Sequence, residues 1–162
     1  MSTRKSSILI VDDDRSIRTS LAAILEQEGY DVDMAENGAQ AIDKSNSKSF
    51  DLALVDMRLP DMMGSDLLNR LKERTPKTAK IIVTGYPTLQ NAISSVNEEA
   101  DAYLVKPVGA EILLETIRKH LQKRQEAARF DEQKMAEFIA TRAKELAAKG
   151  RNDDRPAPQG HP

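Results

Sequence analysis

The stretch that decides the fold is Leu52–Pro60, which reads LALVDMRLP. Its first four residues are apolar, and the run ends in an acid, Asp56, followed by a turn that contains proline. A short apolar run without alternating polar residues is typical of a strand that is buried on both faces of a sheet. We therefore expect Asp56 to lie where this strand leaves the core, either as a helix cap or as a reactive group at the mouth of a crevice.

Four further short, mainly apolar runs predict the remaining strands, of which the one that contains Asp33 is weak and expected at the outer edge of the sheet. They are Ile8–Val11, Val32–Ala35, Lys80–Val83 and Ala102–Val105. The segments between them have helical periodicity and are bounded by glycine or proline, as at Gly29, Pro76 and Pro87. Strands that alternate with helices form a parallel sheet with helices on both faces, because right-handed crossovers permit little else. We predict a doubly wound α/β fold with five helices and five strands in the order 2-1-3-4-5.

Composition limits the class of protein. The 162 residues, 40% of them hydrophobic, are enough for one domain and an appendage, and the absence of cysteine excludes disulfides and thiol chemistry. The first apolar run is too short for a signal peptide or a membrane span, so we expect a cytoplasmic protein that does not enter membranes. Residues 118–151 carry ten Lys or Arg and five Asp or Glu, whereas residues 1–117 have a net charge of −6. The acidic N-terminal part and the basic C-terminal part of the chain are therefore expected to contact different partners.

Polar side chains follow four of the predicted strands. Asp12 and Asp13 follow the first strand, Asp56 the third, Thr84 the fourth and Lys106 the fifth. In a sheet of this order ligands bind beyond the carboxyl ends of the strands, at the crevice between strands one and three. Three carboxylates held there require raised pKa values or a cation, and oxygen ligands without His or Cys indicate Mg2+ or Mn2+. A hydroxyl and an ammonium would complete a cradle for a phosphoryl group, with an aspartate as nucleophile.

Each of these residues alone is more often a cap, a turn residue or a solvated lysine, and only their joint appearance indicates a site. The motifs that carry them resemble the receiver domain of two-component response regulators of the chemotaxis and NtrC type. They are Ile8–Asp14 (ILIVDDD), Val55–Asp61 (VDMRLPD), Ile82–Tyr86 (IVTGY) and Ala102–Pro107 (AYLVKP). The resemblance covers residues 6–121, which we take as the domain, and implies a flavodoxin-like fold with helix five extended.

The resemblance also implies how the acids are used. Asp56 would accept a phosphoryl group from a sensor histidine kinase or a phosphotransfer protein. Asp13, Asp56 and the backbone carbonyl of Arg58 would bind Mg2+, with Mn2+ as an alternative, and Asp12 would hold the metal through water. Such a protein catalyses its own phosphorylation and dephosphorylation, and we expect no turnover of a separate substrate.

The other motif residues are implied to carry the switch. Thr84 and Lys106 would contact the phosphoryl oxygens, and the peptide bond before Pro107 would be cis. In the family the threonine hydroxyl moves toward the phosphoryl group and an aromatic residue on strand five turns inward behind it, and Tyr103 matches that aromatic residue. Tyr103 is also expected as a partly buried core residue. The output face for a downstream protein would be helix four, strand five and helix five.

Two positions near the acceptor are not fixed by the family pattern. Arg58 lies two residues after Asp56, and Tyr86 lies two residues after Thr84. We predict that both limit attack by water and lengthen the life of the phosphorylated state. A phosphatase of the haloacid dehalogenase type is a rival, but it requires a second Asp where Arg58 stands and a cap domain. A docking or dimerisation scaffold that is never phosphorylated is the other alternative.

The C-terminal part has no helix breaker between Glu111 and Lys149, which predicts one long helix. We assign residues 122–149 to a helical extension and residues 150–162 to a disordered tail. A weak heptad seam is formed by Leu114, Ile117, Leu121, Arg124, Ala128, Asp131, Met135 and Phe138.

Three interpretations of the extension stay open. They are a parallel homodimer stalk, a helix hairpin broken near Phe130 and Asp131, or a basic segment that binds acidic surfaces. Few aromatic residues accompany the basic ones, and no helix-turn-helix follows the domain, so direct nucleic-acid binding is not expected.

Overall fold

The structure is a computed structural model that describes residues 4–74, 77–85 and 100–153. Within these ranges it contains five strands and four helices. The strands are β1 (Ser7–Val11), β2 (Asp31–Ala35), β3 (Leu52–Asp56), β4 (Ala79–Thr84) and β5 (Ala102–Val105). The helices are α1 (Arg15–Gln27), α2 (Gly38–Ser47), α3 (Gly64–Arg74) and the C-terminal helix (Ala110–Asp153). The helix predicted after Pro87, together with Tyr86, lies outside the described residues.

The strands form one parallel sheet in the order β2-β1-β3-β4-β5, which confirms the predicted fold. All residues of β1, β3 and β4 are buried, as expected of strands that are covered on both faces. Alternate residues of these strands face opposite sides of the sheet, because the side-chain period of a strand is two. The apolar residues of the central strands therefore contribute to two separate cores.

The first core lies between the sheet and two helices, α1 and the start of the C-terminal helix. It contains Ile8, Ile10, Leu25, Leu52, Leu54, Ile81, Leu113, Ile117 and Leu121. The second core is covered by α2 and α3 and contains Leu9, Val11, Ala41, Ala53, Val55, Met57, Leu67, Leu68, Leu71 and Ile82. Full burial of each Leu, Ile or Met side chain favours folding by roughly 1.5–3 kcal/mol, so both helical layers are firmly held. Met57, the residue after Asp56, packs in the second core.

The outer strand β2 is only partly buried, as its weaker apolar pattern predicts. Asp31 and Asp33 lie on the same face of β2. The Lys48 ammonium donates to both carboxylates, at 2.8 Å and 3.1 Å respectively. One lysine therefore partly compensates two acids on this edge of the sheet.

The C-terminal helix is a single helix of 44 residues. It continues without a break through Phe130 and Asp131, so the hairpin interpretation is wrong. It also continues through Gly150 to Asp153, four residues beyond the predicted end at Lys149, although glycine is a poor helix former. Among the described residues, no helix is both long and apolar enough to cross a membrane.

The described chain divides into two compact units at the bond between Arg124 and Gln125. In the first unit, Ile117 and Leu121 are buried in the first core. Two positions of the predicted heptad seam are therefore occupied by the domain itself. In the second unit, all side chains from 125 to 150 are exposed.

Polar contacts fix the end of the first unit. The Arg124 guanidinium donates to the Asp51 carboxylate and to the Lys77 carbonyl, both at 2.7 Å. The other oxygen of Asp51 accepts from the Ser7 backbone N–H at 2.8 Å. Asp51 is only 8% exposed, and burying a carboxylate is costly unless it is paired. This contact ties the C-terminal helix to the amino-terminal end of the sheet, opposite Asp56.

Candidate functional site

The register of the sheet brings the acidic residues together. Val11 of β1 is paired with Val55 of β3, so Asp12, which follows β1, lies beside Asp56, the last residue of β3. Asp12, Asp13 and Asp56 each offer a carboxylate oxygen, and these three oxygens lie within 4.8 Å of one another. Asp12 and Asp56 are buried, whereas Asp13 is exposed. The predicted cluster is therefore a partly open site with oxygen donors only, which fits a hard divalent cation.

The Lys106 ammonium joins this cluster from β5. It donates to Asp12 Oδ2 at 2.7 Å and to Asp56 Oδ2 at 3.2 Å. Burial opposes the charged form of Lys106, but the hydrogen bonds and charges of the two carboxylates outweigh it, so the pKa of Lys106 is raised. The Lys106–Pro107 peptide bond is cis, as the resemblance implies. Lys106 is thus a fixed positive charge between two acids.

The surroundings of Asp56 disfavour its charged form. Burial raises its pKa above the ordinary value, and the neighbouring Asp12 charge raises it further. Lys106 and the Arg58 backbone N–H act against this shift, although the N–H of Arg58 is a distant donor at 3.4 Å. Asp56 is therefore a buried acid whose charge is only partly compensated, which makes it a candidate for the reactive group of the site.

Thr84 and Tyr103 lie on the two strands beyond the acid cluster. Thr84 follows Val83, which is the register partner of Asp56, and its side chain is fully buried. Its backbone carbonyl accepts the Lys106 N–H at 2.7 Å. Tyr103 is half-buried against the second core, as predicted. The Tyr103 hydroxyl is buried without a hydrogen-bond partner among the described residues, and burial raises its pKa.

A family model, the response regulator receiver domain, matches residues 8–118. The chain belongs to the response regulator receiver family. These domains are the receivers of two-component systems, and the fold and the acidic pocket agree with that membership.

Similar proteins include the transcriptional regulatory protein ZraR of Klebsiella oxytoca, which is 38% identical over 121 residues. That match covers 75% of this chain and 27% of ZraR, so the receiver spans about a quarter of that relative. A solved CheY-like receiver domain protein from Methanospirillum hungatei JF-1 is 43% identical, with a TM-score of 0.75, and the match covers 76% of this chain and 99% of that one. The beryllofluoride-activated NtrC4 receiver domain dimer is 33% identical, with a TM-score of 0.70, and the match covers 73% and 98%.

Sequence reasoning missed the residues that shape the loop between β3 and α3, residues 57–63, which we call the acceptor loop after the role predicted for Asp56. The loop folds back on itself, because Leu59 N–H donates to Met62 O at 3.1 Å and Gly64 N–H donates to Met57 O at 2.6 Å. A Cβ atom at Gly64 would lie 2.3 Å from the carbonyl oxygen of Asp56. Only glycine fits this close approach. The glycine is visible in the sequence, but its neighbour in space is not.

Asp61 ties the acceptor loop to α2. Its two carboxylate oxygens accept the backbone N–H groups of Gly38 and Ala39, both at 2.9 Å. These are free donors at the start of a helix, so Asp61 acts as a cap from a distant loop. The two hydrogen bonds lower the pKa of Asp61. The contact spans more than twenty residues, and no local motif announces it.

The turn after β1 is held in a similar way. Asp14 is the N-cap of α1, and its side chain accepts from the Ser16 N–H at 2.8 Å. Asp12 Oδ1 accepts from the Asp14 N–H at 2.9 Å, and the buried Arg18 guanidinium donates to the Asp12 carbonyl at 2.7 Å. Sequence reasoning missed Arg18, which fixes the backbone of the residue that contacts Lys106.

Proposed function

We propose that this receiver accepts a phosphoryl group on Asp56 in a reaction that depends on a divalent cation, and that phosphorylation switches its protein partners. The observation that carries the proposal is the cluster of three carboxylate oxygens within 4.8 Å, with a lysine ammonium on two of them. Such a concentration of acids at the carboxyl ends of parallel strands is costly unless it serves a cation or a reaction. We expect the domain to act in the cytoplasm.

The donor set supports Mg2+ as the cation, with Mn2+ as an alternative. Asp13, Asp56 and the backbone carbonyl of Arg58 would be direct ligands, and Asp12 would act through water. All of these donors are oxygen atoms, the type that both ions prefer. When bound, the ion would supply positive charge that neutralises the oxygens of the transferring phosphoryl group.

The residues of the chain would perform the transfer as follows. A carboxylate oxygen of Asp56 attacks the phosphorus of a phosphohistidine on a sensor kinase or a phosphotransfer protein. The P–N bond breaks, and its electron pair stays on the imidazole. Lys106, which is already beside Asp56, and the Thr84 hydroxyl would stabilise the charge on the phosphoryl oxygens. Water later hydrolyses the acyl phosphate and restores the Asp56 carboxylate.

The switch would use Thr84 and Tyr103. Tyr103 is half-buried against the second core, and a ring that packs in two positions would provide the bistable element that a switch requires. The output face would include β5 and the C-terminal helix, and its third predicted part lies outside the described residues.

An apolar groove beside the site supports docking of a protein donor. It has a volume of about 460 Å³ and lies between α1 and the turn after β5. Ile17, Leu21 and Ile24 form one wall, and Lys106 with Pro107 forms part of the other. Because Lys106 belongs to both the groove and the acid cluster, a protein bound in the groove would hold its phosphohistidine near Asp56.

Intact mass spectrometry tests the central proposal. The chain is incubated with acetyl phosphate and Mg2+, and a gain of about 80 Da, one phosphoryl group, is expected. Asp56→Asn should show no gain, and neither should wild type after removal of the metal with a chelator. Asp66→Asn, an exposed acid on α3, is the matched control and should be modified like wild type. No gain with any donor would favour the docking scaffold.

A second pair of variants tests the groove. Ile17→Glu should slow transfer from a phosphorylated kinase or phosphotransfer protein but leave the reaction with acetyl phosphate unchanged, because the small donor needs no groove. Thr19→Glu, on an exposed part of α1 outside the groove, is the control. Equal slowing of both reactions would place the effect in the site and not in docking.

A further inference from the structure

The helical segment after Arg124 has an uncovered apolar stripe. Met135, Ile139 and Leu146 are 60%, 59% and 57% exposed, and Phe138 beside them is 66% exposed. Most helical stability in proteins comes from packing of an apolar face, because isolated helices are marginal in water. Among residues 125–150 no side chain covers this face, which leaves it available to a partner.

The spacing along this face is that of a helix pair. Intervals of four and three residues alternate, which keeps one seam toward a second helix. The seam consists of Ala128, Glu132, Met135, Ile139, Arg142 and Leu146. This seam shares Ala128 and Met135 with the heptad seam predicted from the sequence, but it has Glu132 in place of Asp131 and Ile139 in place of Phe138. It begins after Ile117 and Leu121, which are buried in the domain core. Two of the six residues are charged, and their positions decide the orientation.

In a parallel pair in register, each seam residue faces its own copy. Glu132 would face Glu132 of the second copy, and Arg142 would face Arg142, so both charged layers would be repulsive. In an antiparallel pair, Glu132 faces Arg142 of the second copy. The same register sets Met135 opposite Ile139 and Ala128 opposite Leu146. One alignment thus pairs every charge with its opposite and every apolar residue with an apolar one.

The wider charge distribution agrees with this orientation. Residues 125–137 contain four acids and two bases, whereas residues 138–151 contain one acid and four bases. An antiparallel pair lays the acidic half of each helix along the basic half of the other. Charge complementarity of this kind selects partner and orientation more than it adds affinity.

We propose that two copies of this chain pair through residues 128–146 in antiparallel orientation, with Glu132 of each opposite Arg142 of the other. The pairing does not depend on phosphorylation of Asp56, so the two proposals stand or fall separately. Because two seam layers are charged, the pair is weaker than one with an apolar seam, and the charges specify orientation at a cost in stability.

Cross-linking tests the orientation directly. The chain has no cysteine, so Ala128→Cys and Leu146→Cys each introduce a unique thiol in the full-length protein. With a short bismaleimide, the equimolar mixture of the two variants should give a cross-linked dimer. Each variant alone should give no cross-linked dimer. In an antiparallel pair residue 128 lies opposite residue 146 of the second copy, so the two identical thiols are 18 residues, or about 27 Å, apart along the helices. Cross-linking of each variant to itself would establish a parallel pair and overturn the proposal.

Charge reversal tests the register by sedimentation equilibrium. Glu132→Arg and Arg142→Glu should each raise the dimer dissociation constant about tenfold, because two attractive contacts become repulsive. The double variant should return close to wild type. Glu126→Arg and Lys144→Glu make the same charge changes on the opposite side of the helix and should have little effect. A wild-type chain that stays monomeric at millimolar concentration, or a double variant weaker than both single ones, would refute the proposal.

Discussion

Gly64→Ala is expected to damage the acceptor loop more than its one added methyl group suggests. The new Cβ would lie 2.3 Å from the Asp56 carbonyl oxygen and 2.9 Å from Met57 Cα. Both neighbours are backbone atoms, so neither can rotate away, and the start of α3 or the end of β3 must move. Overpacking of this kind costs about 1–3 kcal/mol, and because backbone atoms are the neighbours we place this case at about 2–3 kcal/mol.

That loss should lower the melting temperature by roughly 6–15 °C for a domain of this size. Scanning calorimetry measures the melting temperature, and acetyl phosphate labelling shows whether displaced Asp56 still reacts. Gly109→Ala is the matched control, because Gly109 also precedes a helical turn but has no atom within 4 Å of its added Cβ. It should lose no more than about 1 kcal/mol, a capping preference. If Gly64→Ala melted together with wild type, the argument from close approach would be wrong.

Three other predictions concern substitutions of residues other than the three clustered acids. Arg124→Ala removes two hydrogen bonds and leaves the buried Asp51 carboxylate poorly paired, so the free energy of unfolding in urea should fall by about 1.5–3 kcal/mol. Asp61 has a lowered pKa; its stabilising contribution is therefore present above the ordinary Asp pKa and is lost as the pH falls through the lowered value. Asp61→Ala should accordingly lose less stability than wild type on acidification, measured by urea unfolding at a series of pH values. Arg58→Ala should shorten the life of the phosphorylated state, measured as the rate at which the added mass disappears.

Each of these variants has an exposed counterpart. Arg129→Ala should leave the free energy of unfolding unchanged, and an equal loss in both arginine variants would contradict the role of the buried contact. Asp66→Ala should keep the acid sensitivity of wild type, unlike Asp61→Ala. Arg70→Ala, on the outer face of α3, should dephosphorylate at the wild-type rate. An unchanged rate in Arg58→Ala would remove the idea that this side chain limits attack by water.

The strands and the acid cluster could be predicted because their signals are local. The buried strands β1 and β3 each contain four consecutive apolar residues, and Asp56 marks where the second of these runs stops. The parallel topology then brings the ends of β1 and β3 together, so three separate sequence positions become one site without further information. Asp14 could likewise be predicted, because a cap and its helix are adjacent in the chain.

The supporting contacts could not be predicted, because they join distant segments. Asp51 and Arg124 are 73 positions apart, and neither stands in a motif. The hairpin interpretation was wrong for another reason: Phe130 and Asp131 weaken an apolar seam, but neither is a helix breaker. A weak heptad seam indicates that the helix has no favourable packing face at that point. It gives no indication that the helix ends there.

The acidic edge of the sheet has a consequence for the protein at high concentration. A strand at the margin of a sheet offers unpaired backbone groups to any other strand, which is a common route to aggregation. Here Asp31 and Asp33 stand on that margin with Lys48 beside them, so a second β2 would bring carboxylates against carboxylates. The edge thereby discourages growth of the sheet from one molecule into the next, and it does so without shortening the strand or covering it.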